Sequence, residues 1–337
     1  MEKLKIGVVG AGWVSQVIHL PLLKKMQDIE LVAVSDRDKA KAKNVATRFG
    51  IQRFYGNLEE MLKFEDLSAV VICSSTDAHK EHAIMALEAG KDIFVEKPLA
   101  RKFSEAKEIV ATAVKEKRKL MVGMNNRFRP DVMVLRSIVE AGDLGKIFFV
   151  KAGWLKRINT DTKWMTKKEK SGGGVFIDLG IVMLDLSLWM MGYQDVKRAT
   201  AEMYKHTMTT VEDSCVAWCS LANHATLSLE VSWTFHSEND FFYCDLIGTN
   251  GSASINPLRI YRSIDGNVVN LTPMKQDMFH NSFLKSYENE LKHFFGAVRG
   301  LHPIISTGDE AVKRMEIVDA IYRSAKSGKE QRITKTK

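Results

Sequence analysis

The sequence predicts an α/β fold in two parts, a doubly wound parallel sheet followed by an α+β domain with a large, open, mainly antiparallel sheet. Three observations carry this reading. Up to about residue 123, short β-rich runs alternate with amphipathic stretches, the pattern of a parallel sheet covered by helices on both faces. Beyond that point the β-prone runs lengthen and partly alternate in polarity, as strands with one packed face do. A chain of 337 residues also exceeds what one hydrophobic core usually serves. With no repeat or low-complexity linker in between, tightly joined domains over 1–123 and 124–337 are expected.

In the first part, strands are predicted at Lys5–Val9, Glu30–Ser35, Ala69–Cys73, Asp92–Val95 and Lys119–Gly123. Helical patterns lie near Ser15–Met26, Lys39–Phe49, Leu58–Leu62, His79–Ala89 and Ser104–Glu116. Pro21 predicts a kink or restart in the first helix, because proline lacks the N–H and clashes with the preceding turn. In the second part, strands are predicted at Ile147–Leu155, Ala199–Tyr204, Ser214–Leu221, Thr226–Phe235, Phe241–Ile247 and Ser252–Asn256, with a turn at Thr249-Asn250-Gly251. Helices are expected at Pro130–Ala141, at Val175–Met191 and near the C-terminus. Val175–Met191 is the longest apolar stretch, but a membrane span would bury Asp178 and Asp185 at high cost, so a buried helix of a soluble protein is expected.

Composition narrows the function classes. Apolar residues at 45% and charged residues at 27% are ordinary for a globular enzyme. The net charge of +8 is spread along the chain, which argues against nucleic acid as a partner. One denser patch sets Lys151, Lys156, Arg157, Lys163, Lys167, Lys168 and Lys170 against Asp161 and Glu169; it reads as a solvated face or as an attractor of an anionic substrate. Cys73, Cys215, Cys219 and Cys244 show neither zinc spacing nor a disulfide framework, so core thiols and no metal are expected. The N-terminus lacks a convincing leader cleavage site, and a cytoplasmic location is expected.

The strongest local signal is Gly10-Ala11-Gly12-Trp13-Val14-Ser15, directly after an apolar strand and opening a helical pattern. Gly10 permits a tight turn, and Gly12 lets backbone N–H groups approach a pyrophosphate at the positive end of the helix. This is the fingerprint of a Rossmann dinucleotide site, with Ser15 as a small substitute for its third glycine. Asp36 ends the second strand, 24 residues past Gly12, where a carboxylate can accept hydrogen bonds from a ribose diol and repel a 2′-phosphate. NAD is therefore favoured over NADP, with Arg37 as the residue that would hold the phosphate in the other case. A second signal, Glu96-Lys97-Pro98, follows an apolar strand at the sheet edge where ligands bind. Lys97 there reads as a proton relay or as half of a surface ion pair with Glu96. The third signal is Ser171-Gly172-Gly173-Gly174 followed by a helical pattern that sets positions 178, 182 and 185 on one face. Asp178 and Asp185 read as functional carboxylates, or as a first-turn residue and a satisfied core acid.

In this order the motifs resemble the glucose-fructose oxidoreductase/inositol dehydrogenase/MocA (Gfo/Idh/MocA) family over almost the whole chain. The resemblance extends to His19-Leu20-Pro21, Ser75-Thr76 through His79, Leu87-Glu88-Ala89-Gly90-Lys91, Gly123-Met124-Asn125-Asn126-Arg127-Phe128 and Gly248-Thr249-Asn250-Gly251. It implies an NAD(P)-dependent dehydrogenase or reductase that moves a hydride between nicotinamide and a sugar, inositol or related polyol. Lys97 would be the proton relay, and Asp178 would orient the substrate. The cofactor would be held by Gly10, Gly12, Trp13, Val14, Asp36, Arg37, Ser74, Ser75, His79, Glu96, Lys97, Pro98 and Asn125. The substrate would meet Lys97, Arg127, Asp178 and Val182. The bond before Pro98 is a candidate for the cis form, which only an X–Pro bond adopts cheaply. One departure matters: the family pattern Asp-x-Gly-x-His places histidine where this chain has Val182, and valine exchanges no proton. Either Lys97 works alone or with Asp178, or His236 or Tyr193 has moved in, or the ordinary redox reaction is absent. The last case leaves two alternatives, an NAD-dependent glycoside hydrolase and a non-catalytic NAD-binding regulatory protein. An open sheet in the second domain needs a cover, so a homodimer or homotetramer is expected.

Overall fold

The computed structural model describes residues 2–63, 67–158, 164–273 and 281–333. It divides into two compact units, Met1–Asn125 with Tyr287–Val312, and Asn126–Ser286 with Lys313–Lys337.

In the first unit, six strands run parallel in the order β3-β2-β1-β4-β5-β6: β1 (Leu4–Val9), β2 (Ile29–Ser35), β3 (Arg53–Tyr55), β4 (Ala69–Ile72), β5 (Asp92–Glu96) and β6 (Leu120–Gly123). The strand order reverses between β1 and β4, which makes that junction the switch point where such sheets bind ligands. Continuous burial along β4 is what a strand covered on both faces requires. β3 escaped the sequence reading because three residues carry no readable period. The first helix does not restart: a π-helical turn at Ser15–His19 passes without a break into an α-helix at Leu20–Lys25. Pro21 directly follows the π-turn, whose wider i→i+5 bonding meets the proline in place of a break.

The chain returns to this unit late. The Ser306 carbonyl accepts the Val122 N–H at 3.1 Å, Thr307 bridges to Met121, and Arg299 donates to the Asp28 carbonyl at 2.9 Å. Residues 287–312 thus join the first unit, whereas the sequence reading put everything beyond 123 in the second. Such cover for the open edge of β6 is made by contacts far apart in sequence, which local periodicity does not register.

The second unit is built on nine strands in the order β14-β13-β12-β11-β7-β10-β9-β8-β15. They are β7 (Ile147–Leu155), β8 (Val196–Tyr204), β9 (Ser214–Leu221), β10 (Thr226–Ser232), β11 (Phe241–Gly248), β12 (Gly251–Ile255), β13 (Arg259–Ile264), β14 (Asn267–Asn270) and β15 (Gln331–Arg332). Only the β7–β10 pair is parallel among them. The sequence reading missed β13 and β14, although Asp265-Gly266 between them was a legible hairpin signal; both residues have positive φ, 51° and 79°. One face of the sheet packs on the apolar helix Ile181–Met190, all ten residues of which are buried. The run Lys168–Met190 is long and apolar enough to cross a membrane, but 94% of its most apolar stretch is buried within the protein.

Asp185 sits in that helix at 2% exposure. Its carboxylate accepts from Arg127 Nε and Nη2 at 2.8 and 2.6 Å, from Arg314 Nη1 at 2.6 Å and from the Tyr193 hydroxyl at 2.8 Å. Burial opposes its charge, but the two guanidinium groups outweigh burial and hold the carboxyl below its ordinary range. A depressed pKa contributes stability above the unfolded-state value, about pH 4, that is lost as pH falls through the folded value. Asp185→Asn would leave two buried guanidinium groups without their counter-charge, at a cost of about 3–5 kcal/mol. Chemical denaturation at neutral pH should show this loss, and the variant should lack the Asp185-linked part of the acid destabilisation below about pH 4.

Candidate active site

The glycine turn is shaped by two neighbouring strands. Gly10 has φ +92°, and a Cβ there would lie 2.6 Å from the Cys73 carbonyl oxygen and the Ser74 nitrogen. Its N–H donates to the Ser35 carbonyl at 2.8 Å, so the turn threads between the ends of β2 and β4. Gly12 differs: a Cβ there would meet nothing nearer than the Cys73 carbonyl at 4.0 Å. The protein's own packing therefore does not demand glycine at 12, and the open space fits a pyrophosphate approaching the backbone. Ser15 is fully buried, as its place against the sheet requires. Val14 is half-buried and Trp13 is 70% exposed beside the turn.

Asp36 is fixed before any ligand arrives. Its Oδ2 accepts the Ala11 N–H at 2.8 Å and its Oδ1 accepts the Asp38 N–H at 3.0 Å, with Lys41 Nζ 3.5 Å away. The carboxylate thus stands at the end of β2 against the glycine turn, where it fits a ribose diol. Arg37 beside it is exposed. Ser74 and Ser75 are half-buried just past β4, and Ser75 occupies the N-cap position of the helix Thr76–Glu88 without a side-chain capping bond.

At the end of β5, the Lys97–Pro98 bond is cis and Lys97 is half-buried. Glu96 is 8% exposed, with Oε1 2.6 Å from His19 Nε2 and Oε2 accepting the Lys97 N–H at 3.1 Å. Its burial removes the reading of Glu96 and Lys97 as a surface ion pair. Burial disfavours the His19 charge, yet the Glu96 carboxylate 2.6 Å away holds the imidazole well above the usual histidine range. Burial likewise works against the Glu96 carboxylate, and His19 outweighs it, holding the group below its ordinary range. His79, expected to touch the cofactor, is 1% exposed, and its ring nitrogens face the Pro98 and Ser74 carbonyl oxygens at 2.8 and 3.0 Å.

In the second unit, Gly172 takes a left-handed backbone with φ 89°, and close approach explains the other two glycines of the triplet. A Cβ at Gly173 or Gly174 would lie 2.0 Å from the Tyr322 hydroxyl or the Glu212 carbonyl. Glu212 Oε1 accepts the N–H groups of Gly174 and Phe176 at 2.8 and 3.1 Å and the Tyr322 hydroxyl at 2.6 Å. The helix that follows begins as a π-turn, Phe176–Gly180, so Asp178 and Asp185 do not act as one pair. Asp178 is half-buried and accepts the Trp233 indole N–H at 3.2 Å, whereas Asp185 is the satisfied core acid described above. Val182 is 5% exposed. Arg127, expected to meet substrate, is fully buried on Asp185 and offers a ligand no surface. Asn125, half-buried, opens the 3-10 turn Asn125–Phe128. Tyr193 is committed to Asp185 and Arg314, and His236 lies exposed beyond β10. His19, Glu212 and Trp233 were not singled out as site residues in the sequence, since their partners lie 77, 38 and 55 positions away.

The basic patch is dispersed. Lys151 faces Glu230 at 3.9 Å on the open sheet face, and Lys156 stands over the Trp154 ring at 5.0 Å. Asp161 and Lys163 lie outside the described residues.

Residues 4–124 match the oxidoreductase family GFO/IDH/MocA with an NAD-binding Rossmann fold, and residues 132–254 match the GFO/IDH/MocA C-terminal domain. The chain is 30% identical to the D-glucoside 3-dehydrogenase of Escherichia coli K12, over 96% of each chain. It is 28% identical to the scyllo-inositol 2-dehydrogenase (NAD(+)) of Bacillus subtilis 168, over 97% of this chain and 95% of that one. The crystal structure of GenD2 from gentamicin A biosynthesis, in complex with NAD, superposes with a TM-score of 0.87 at 27% identity, covering 99% of this chain and 97% of that one.

The two glycines of the turn should separate in experiment. Gly10→Ala should cost more than the roughly 1–2 kcal/mol of a left-handed residue, because the Cβ also meets backbone. Gly12→Ala should leave thermal stability near that of the parent and weaken NAD binding on the order of tenfold or more by calorimetry.

Proposed function

Because the chain belongs to the GFO/IDH/MocA oxidoreductase family, we propose that it is an NAD-dependent dehydrogenase or reductase of sugar, inositol or related polyol hydroxyls. The observation that carries the reading is the switch-point turn, with Asp36 locked on the Ala11 N–H beside the open space at Gly12. A carboxylate with both oxygens so placed favours a ribose diol and disfavours a 2′-phosphate, which selects NAD over NADP. Gly10, Gly12, Trp13, Val14, Asp36, Ser74, Ser75 and Asn125 would hold the dinucleotide, with Pro98 setting the corner beside it.

When bound, NAD supplies the hydride acceptor. In the oxidative direction Lys97 takes the hydroxyl proton, directly or through water, as the C–H hydride leaves the same carbon. Asp178, which accepts the Trp233 indole N–H, is the second unit's candidate for orienting the substrate. Val182 can only shape the site, so proton transfer falls to Lys97; Tyr193 is already committed within the buried Asp185 cluster. No observation favours the glycosidase or the non-catalytic reading. Anionic polyols are a finer extension, supported by Arg157, Lys167 and Lys168 as exposed cations. A reducing compartment such as the cytoplasm is supported by four buried free thiols.

A second copy of the chain would cover the open face of the nine-stranded sheet, in a homodimer or homotetramer. Val216 and Trp218 are 50% and 44% exposed there, near the Lys151–Glu230 pair that would have to find partners across the interface. Light scattering should give a multiple of the monomer mass for the parent and a smaller mass for Trp218→Asp; a monomeric parent would contradict this.

The activity is tested by following absorbance at 340 nm with NAD or NADP against a panel of neutral and anionic sugars, inositols and glucosides. Reduction of NAD by one polyol class is expected. Lys97→Ala should abolish that turnover while NAD still binds, and retained turnover would remove Lys97 from the mechanism.

A further inference from the structure

The lysine that carries the proton has a flexible four-carbon stem, so its reach is defined by where its backbone is anchored. That backbone is held on both sides by buried side chains. On one side the Lys97 N–H donates to Glu96 Oε2 at 3.1 Å, and the other oxygen of that carboxylate is 2.6 Å from His19 Nε2. On the other, the Pro98 carbonyl faces His79 Nδ1 at 2.8 Å, and His79 Nε2 faces the Ser74 carbonyl at 3.0 Å. His19 itself is fully buried, with its ring edge-on to Phe94 and Tyr287 at 5.6 and 5.8 Å. Gly123 completes the fit: a Cβ there would lie 3.0 Å from the Phe94 ring and 3.4 Å from Glu96 Oε2, so a larger residue would crowd the carboxylate.

A buried ion pair is weak evidence for stability, because well-packed apolar residues in its place are often as stable or more so. What apolar residues cannot supply is a directed hydrogen bond to the Lys97 N–H. We propose that His19 and Glu96 are positioning residues for Lys97, with the imidazole fixing the carboxylate and the carboxylate fixing the backbone from which the relay amine extends. This rests on the reading of Lys97 as the proton relay.

The test compares the parent with His19→Leu/Glu96→Leu, which leaves no buried charge unpaired, and with His19→Gln, which keeps an N–H donor toward Glu96. Turnover of the polyol found in the screen is measured with KM and with NAD affinity by calorimetry. Independently of turnover, NAD-bound protein is acetylated with limiting acetic anhydride, and Lys97 labelling is read by mass spectrometry against the exposed Lys329. The double variant should fold and bind NAD, lose on the order of a hundredfold in kcat with KM little changed, and alter the Lys97 labelling rate several-fold. His19→Gln should recover most of both effects. Parent-like kcat and Lys97 labelling in the double variant would overturn the proposal, as would a kcat loss that only follows a loss of NAD affinity. Lys97→Ala with full turnover would instead remove the relay reading, and the labelling result would then decide whether His19 and Glu96 position Lys97.

Discussion

A Cβ at position 10 would lie 2.6 Å from the backbone at Cys73 and Ser74, and much of the first unit depends on that closeness. β1 and β4 are neighbours at the point where the strand order reverses, so the connections leaving them diverge and open a crevice at their carboxyl ends. Only a residue without a side chain, and with a left-handed backbone, lets the turn after β1 pass over the end of β4. Given that passage, Ala11 meets Asp36, Ser15 enters the sheet face and His19 reaches Glu96. One steric requirement thus aligns the acid at the end of β2, the open space at Gly12 and the base of the Lys97 corner.

The second unit uses charge for a comparable purpose. Its most apolar helix carries Asp185, and two arginines brought from distant parts of the chain meet on that carboxylate. The glycines before the helix let Tyr322 and Glu212 approach closely, and the helix then opens with the π-turn that contains Asp178. Asp178 is left half-buried, with the Trp233 indole N–H on one oxygen.

Most of the fold was legible because parallel strands between amphipathic helices leave a strong periodic trace. The places of Gly10, Asp36 and Lys97 just past strand ends were legible because each follows an apolar, β-prone run. β3 was too short to show a period, and the return of residues 287–312 to the first unit depends on contacts with no local trace. The burial of Arg127 and His79 likewise has no local trace. Arg127 and His79 have polar side chains that suggest ligand contact, but Asp185 and two backbone carbonyls claim them, and burial shields them from a ligand. A polar residue in a motif can serve the site by fixing a neighbour as readily as by touching what binds.

The most direct test of the account is the fate of the hydride. The purified protein would be incubated with NAD and a polyol substrate carrying deuterium on the carbon that bears the reacting hydroxyl, and the nicotinamide product analysed by mass spectrometry. The account predicts one deuterium at nicotinamide C4 for each carbonyl formed. Product formation with unlabelled nicotinamide, or carbonyl formation without NAD, would contradict it.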